Sequence, residues 1–220
     1  MTRGVSFIGS TIGRKVVMAV SGIVLVGFVI AHMAGNLLVY LGPHALNEYS
    51  LSLREVLHGA GLWIARAVLL LAVGLHIWAA TSLTLGERRA RPVGYRAVQR
   101  RESTYASRTM IWSGPILLLF IVYHLLHFTF GVVHPSFIEG DVYHNVVAGF
   151  SVWPVSLFYI LAMLSLGLHL RHGVWSMLQT LGLSHPRWNG LRSVFATVVA
   201  LVVVVGNISM PVAILAGVVK

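Results

Sequence analysis

The sequence predicts an all-helical integral membrane protein built on five transmembrane helices, and three observations carry that prediction. Of 220 residues, 57% are hydrophobic and only 10% are charged, against about 25% charged in ordinary soluble domains. The apolar residues gather into five runs, at about 16–41, 60–86, 110–133, 150–178 and 194–218, each long enough for the ~20 residues that a bilayer crossing needs. Nearly every charge lies between those runs. Residues 1–220 therefore read as one membrane domain.

Arg14-Lys15 precede the first run as they would a signal peptide. The run continues for ~25 residues to Leu41, beyond the 7–15 of a signal peptide's apolar region, so it is a span. The second run carries Arg66 and, past its middle, His76. The third holds His124 and His127, and the fourth His169, Arg171 and His172. The fifth has no histidine but contains Asn207 and Pro211, and its expected role is to close the bundle.

Charge then orients the spans. Arg3, Arg14 and Lys15 precede the first; Arg88, Arg89, Arg91, Arg96, Arg100, Arg101 and Arg108 lie between the second and third; Arg187 and Arg192 lie between the fourth and fifth. The opposite side has Arg54 and Lys220 with Glu48, Glu55, Glu139 and Asp141. The positive-inside rule places the N-terminus in the cytoplasm and the C-terminus outside, in the inner (cytoplasmic) membrane of the cell. The formal net charge of +10 is thus a topology signal and gives no reason to invoke nucleic acid. A basic inner face also suits a soluble partner or anionic lipid.

There is no cysteine, while 11 histidines outnumber 6 acidic residues. Disulfides, Fe–S ligands, thiolate-ligated haem and covalently attached haem are all excluded. A redox metal would rest on histidine or methionine.

An internal repeat selects four of the histidines. At an offset of 92, residues 21–32 align with 113–124, from Ser21-Gly22 and Ser113-Gly114 to His32 and His124, with five of twelve positions identical. At an offset of 93, Gly74-Leu75-His76 aligns with Gly167-Leu168-His169. The first two spans and the next two read as a parallel repeat about an axis along the membrane normal, with the fifth span added. His32 and His124 then lie about 6 Å toward the outside of mid-span, and His76 and His169 roughly 4 Å toward the cytoplasm, at ~1.5 Å per residue.

A single histidine in a span is most simply a hydrogen-bonded core residue, but ionisable groups in hydrocarbon are costly and usually functional. Four of them in two layers, one from each half of the repeat, suit six-coordinate haem iron, each imidazole giving Nε2 to the metal while its Nδ1–H is held elsewhere. Zinc would want three or four ligands at one depth, often with carboxylates, and no acidic residue lies in a span. The expectation is two haem b groups, one between His32 and His124 and one between His76 and His169.

Small residues flank the ligands one turn away, Gly35 and Asn36 after His32, Ala72 and Ala80 around His76, Ser165 and Gly173 around His169, leaving room for a macrocycle or a neighbouring helix. Ser21 and Ser113, eleven residues before their histidines, would reach a haem or its propionates, or else bond their own helix carbonyls. His127 and His172 have no symmetric partner and are expected as propionate, quinone or proton-relay groups. Arg66 and Arg171 would pair with propionates or snorkel to the interface. His44, His58, His134, His144 and His185 read mostly as surface residues.

The residues resemble a known family, the single-chain, five-helix, dihaem membrane-anchor cytochrome b of succinate:quinone oxidoreductases (succinate dehydrogenase and fumarate reductase). The likeness rests on Arg14-Lys15, on His32-Met-Ala-Gly-Asn36, on Ser113-Gly114 followed by Tyr123-His124-Leu-Leu-His127-Phe128, and on His169-Leu-Arg-His-Gly173-Val-Trp175-Ser176. It implies that His32 and His124 hold the distal haem and His76 and His169 the proximal one. It also implies an FAD-bearing flavoprotein and an iron–sulfur subunit docked on the cytoplasmic face, the dicarboxylate site on a partner chain, and menaquinone or another quinone as electron partner. Some fumarate-reducing relatives carry a glutamate two residues before the last ligand. Here that position is Gly167, which leans toward succinate oxidation. Outer quinone contacts would come from Glu48, Tyr49, Arg66, His127 or His144, and inner ones from Ser21, Arg108, Trp112 or His172.

Two other readings stay open at this level. One is the cytochrome b anchor of another quinone-linked dehydrogenase or of a hydrogenase. The other is a transporter with histidine relays, disfavoured because the spans are not broken near their middles.

Overall fold

Ser10 starts the first helix, α1 (Thr11–Asn36), by accepting the Gly13 N–H at 3.0 Å, a side-chain cap on an otherwise orphaned donor. A computed structural model describes residues 7–90 and 105–220, and the side chains of the second stretch from residue 109 onward. Arg3, Arg91, Arg96, Arg100 and Arg101 of the predicted basic inner side lie outside the described residues, as does the side chain of Arg108.

After a 3-10 turn over Leu37–Leu41, Gly42 at φ 93° redirects the chain, and Pro43 sits in the first turn of α2 (Pro43–Glu55), where its missing N–H costs nothing. Leu57 and His58, at φ 52° and 55°, and Gly59 at φ 88° then reverse it into α3 (Ala60–Ala90). The helix α4 (Tyr105–His124) continues into a π turn over Leu125–Thr129, closed by the Phe130 N–H on the Leu125 carbonyl at 2.9 Å. Asp141 caps α5 (Val142–Ser151); extended Val152 ends it, and Trp153-Pro154 open α6 (Trp153–Thr180). The last helix is α7 (Asn189–Leu215).

Among the described residues five helical stretches are long and apolar enough to cross a membrane: α1, α3 with α2 leading into it, α4 with its π turn, α6 and α7. Their ends differ from the apolar runs for physical reasons. Helices continue through the headgroup region, where side chains turn polar but the backbone ladder does not stop. So α3 carries Glu87, Arg88 and Arg89 past the run, and α7 begins at Asn189, ahead of it. The third span instead ends early, because Gly131 at φ 68° turns the chain out after the π turn. Phe150 and Ser151 belong to α5, across the break at Val152 from the fourth span.

The first span packs against the second, α1 with α3, and the third against the fourth, α4 with α6, while α7 lies against α6 and touches α1. Glycines let α7 in. A Cβ at Gly206 would collide with the Met33 sulfur, and one at Gly167 would stand 2.5 Å from the Val204 side chain. One apolar cluster, around Val39, Leu46, Phe150, Tyr159 and Ile214, closes the end that carries α2, α5 and the C-terminus. A second gathers Leu170, Ala200 and Val203 with Val26 and Val29.

The first of these ends has a polar cap. Asn47 of α2 donates to Asp141 at 3.0 Å and accepts the Tyr143 N–H at 2.9 Å, while Tyr143 donates to the Lys220 carbonyl at 2.8 Å. The His144 N–H and then the Asn47 amide hold the Asp141 carboxyl below the usual carboxylate range.

Candidate functional site

Four helices each bring one histidine to the interior of the bundle, in two facing pairs. His32 of α1 and His124 of α4 stand 5.7 Å apart, ring centre to ring centre, with their planes at 88°. His76 of α3 and His169 of α6 stand 6.3 Å apart at 55°. None is sealed in packed core: His32 is exposed and the other three are half-buried.

The His76–His169 pair, the inner one in the orientation expected from the charges, is held by serines. Ser21 Oγ lies 3.2 Å from His76 Nδ1, and Ser113 Oγ lies 3.1 Å from His169 Nδ1. A hydroxyl has one proton, and Ser21 donates its own to the Val17 carbonyl at 2.8 Å, with the Met18 carbonyl at 3.1 Å. Its oxygen is therefore the acceptor for His76, which must carry its proton on Nδ1. Ser113 repeats the arrangement with the Met110 carbonyl at 3.3 Å. With each serine proton on its own helix carbonyl, both imidazoles donate from Nδ1 and keep the lone pair on Nε2, the tautomer that a metal ligand needs. Each serine thus bonds its own helix and stands against a histidine.

The outer pair is anchored differently. His32 stacks on Phe28 at 5.2 Å and 18°, whereas His124 has the Tyr159 hydroxyl 3.4 Å from its Nδ1. The same hydroxyl lies 3.0 Å from Nδ1 of His127, which is fully buried. His127 stacks on Tyr123 and on His134, whose centre is 4.8 Å away. So His127 is a core residue one hydroxyl removed from the pair, and His134 is half-buried against it, not a surface histidine.

Other expected contacts are not gathered. Arg66 faces outward, its guanidinium 4.8 Å from the Trp63 ring, the placement of an arginine reaching for the interface, the second of its two expected roles. Arg171 donates to Thr197 at 3.2 Å. His172 is half-buried, 6.2 Å from Trp175. Glu48 pairs with His44 at 3.1 Å on the exposed side of α2, His144 meets the Ser136 carbonyl at 3.1 Å, and Trp112 points away from the bundle. Gly35 admits the Tyr49 ring, not a macrocycle, while the space beside Gly173 is open.

Two further residues join the site. Tyr159 sits among otherwise apolar neighbours in its span, and no spacing rule marks it. Arg192 reads in the sequence as an inner-loop charge because it precedes the fifth apolar run. It is in fact buried in the first turn of α7, its guanidinium 4.4 Å over the Trp175 ring, with Nε and Nη1 bonded to nothing among the described residues.

No curated protein and no solved structure matches the chain. The succinate dehydrogenase/fumarate reductase transmembrane subunit family matches residues 87–206, more than half of the chain and the stretch carrying Ser113, His124, Tyr159, His169 and Arg192. Together with the five membrane-length helices, this match places the chain in the family of succinate dehydrogenase/fumarate reductase transmembrane subunits, to which it belongs.

Proposed function

We propose that the chain is a dihaem cytochrome b that anchors a succinate dehydrogenase complex in the cytoplasmic membrane, with His32 and His124 as ligands of one haem b and His76 and His169 as ligands of the other. The two facing histidine pairs carry this reading. Two imidazoles binding one metal through Nε2 from opposite sides stand about 6 Å apart, centre to centre, for metal–nitrogen bonds of about 2 Å. The observed 5.7 and 6.3 Å fit that separation, and the serine hydrogen bonds leave Nε2 free on the inner pair.

Two bound haems would supply one-electron carriage across the bilayer between an iron–sulfur partner and a quinone. The protein's part is to hold and tune them. His76 and His169 are fixed in ring orientation by Ser21 and Ser113. Arg192, a buried cation on the face of Trp175, would hold a propionate carboxylate of the inner haem, since a desolvated guanidinium without a counter-charge is costly. It lies at the level of the inner end of α6, six residues or about 9 Å beyond His169 as measured by Trp175.

The basic residues at the start of α1, at the end of α3 and beyond it, and Arg187 before α7 favour a cytoplasmic docking face for the flavoprotein and iron–sulfur subunits. The missing cysteines agree with iron–sulfur chemistry residing in a partner. Menaquinone is the proposed quinone, following the dihaem resemblance.

The test is a dithionite-reduced minus oxidised spectrum of the purified complex with a pyridine haemochrome count. Two b-type haems per chain are expected. A count of zero overturns the proposal.

A further inference from the structure

The Tyr159 hydroxyl stands between two imidazoles, 3.4 Å from Nδ1 of His124 and 3.0 Å from Nδ1 of His127. It has one proton to give, and each ring has one proton on one of its two nitrogens. Only two orderings are self-consistent. In one, His127 donates to Tyr159 and Tyr159 donates to His124, which leaves the His124 proton on Nε2. In the other, His124 donates from Nδ1 to the tyrosine oxygen, Tyr159 donates to Nδ1 of His127, and His127 carries its proton on Nε2.

The surroundings keep this trio isolated. His134, stacked on His127, has no role to spare: its Nδ1 accepts the Ser136 N–H at 3.0 Å and its Nε2–H donates to the Asn145 carbonyl at 2.8 Å. His127 Nε2 is buried without a partner in either ordering, so the network ends there. The packing tolerates nothing larger, because a Cβ at Gly149 would stand 2.9 Å from the His127 ring and 3.1 Å from His134 Nε2. The π turn over Leu125–Thr129 sets His127 into this packing, and such turns recur at functional sites.

We infer that Tyr159 is a positioning residue for His124, accepting the His124 Nδ1–H and passing its own proton as a hydrogen bond to His127, so that His124 Nε2 is kept for iron. The inference rests on the assignment of His32 and His124 as ligands of one haem. In that state Tyr159 does for His124 what Ser21 and Ser113 do for His76 and His169. Donation from Nδ1–H raises the basicity of the imidazole as a ligand, and a more basic ligand favours ferric over ferrous iron. The His127 acceptor strengthens the effect, since a hydroxyl that donates becomes a better acceptor.

The experiment is a redox titration of the assembled complex carrying Tyr159→Phe, with a haemochrome count and low-temperature EPR of the ferric haems. Two haems are retained, and the outer one alone moves to a higher midpoint potential, by about tenfold in its one-electron equilibrium or ~59 mV, with a changed outer-haem EPR signal. His127→Phe gives a smaller shift in the same direction, and carries the test if Tyr159→Phe does not assemble. Two haems with unchanged potentials in these variants, or equal movement of both haems, overturns the role of Tyr159 while leaving the dihaem reading intact. A wild-type complex without haem overturns both.

Discussion

Ser21 Oγ and His76 Nδ1 stand 3.2 Å apart across the contact between α1 and α3, and Ser113 and His169 repeat that relationship at 3.1 Å between α4 and α6. In both, the serine oxygen is freed to accept because its proton goes to a carbonyl of its own helix. The serines align at the offset of 92 and the histidines they touch at 93, so the self-similarity of the sequence covers both members of each contact.

On the proposed ligand assignment, removing such an orienting partner weakens haem binding without abolishing it. Ser21→Ala and Ser113→Ala are each expected to weaken retention of the inner haem by about 10- to 100-fold, the usual loss for an outer-shell hydrogen bond, with the outer haem unaffected. Haem release from detergent-purified complex, followed in the α band, measures this. Equal loss of both haems would contradict the pairing of these serines with His76 and His169.

The pairs themselves predict which haems disappear together. His32→Ala and His124→Ala each remove one and the same b-type signal, and His76→Ala and His169→Ala each remove the other. Redox-resolved spectra of the four variants distinguish them by midpoint potential. If His127→Ala or His172→Ala instead eliminates a haem, the ligand assignment fails.

What was legible in the sequence follows from what hydrophobicity and self-similarity record. Apolar runs report contact with lipid, so they mark the spans but not the short helices α2 and α5, whose residues are mixed in polarity and lie at one end of the bundle. Self-similarity found the four histidines because both halves carry them. It was blind to Tyr159 and Arg192, which have no equivalent in the first half. At the offset that aligns His76 with His169, the position matching Tyr159 is Arg66, which faces outward, and α7 has no counterpart at all. His127 was visible as a histidine but not as a core residue, since its burial depends on the π turn and on Gly149 from another element.

Arg192 was hidden by a boundary. A charge two residues ahead of an apolar run looks like loop, yet α7 begins three residues before it and carries it against Trp175. Arg192→Gln keeps some hydrogen-bonding capacity but loses the charge that a propionate would meet, and is expected to lower inner-haem retention and shift that haem's potential downward. Arg192→Lys recovers part of both. Unchanged inner-haem potential in Arg192→Gln would remove the propionate role.

The polar cap at Asp141 carries a pH dependence. Asp141 has its carboxyl held below the ordinary value by the His144 N–H and the Asn47 amide. A depressed folded pKa means that stabilisation is present above the unfolded value of about 3.9 and is lost as pH falls through the folded value. Acidification below about pH 4 is thus expected to loosen the contact between α2 and α5, read as faster amide exchange at Tyr143 and His144. In Asn47→Ala the loosening begins at higher pH, because one of the two groups that depress the pKa is gone.

Gly167 is small where α6 packs against α7. It holds the position where some fumarate-reducing relatives have glutamate, and its Cβ direction runs into Val204 of α7 at 2.5 Å, a contact between packed helices. A carboxylate there would be forced into the α6–α7 interface and would not reach the histidine layers without moving α7. Gly167→Ala alone is expected to overpack the contact at a cost of about 1–3 kcal/mol, seen as a lower thermal midpoint of the complex with both haems still bound below it. Shortening the opposing side chain tests the cause: Gly167→Ala with Val204→Ala restores part of the loss, a coupling that residues not in contact do not show. If the double variant is as unstable as the sum of the singles, Gly167 is not small on account of α7.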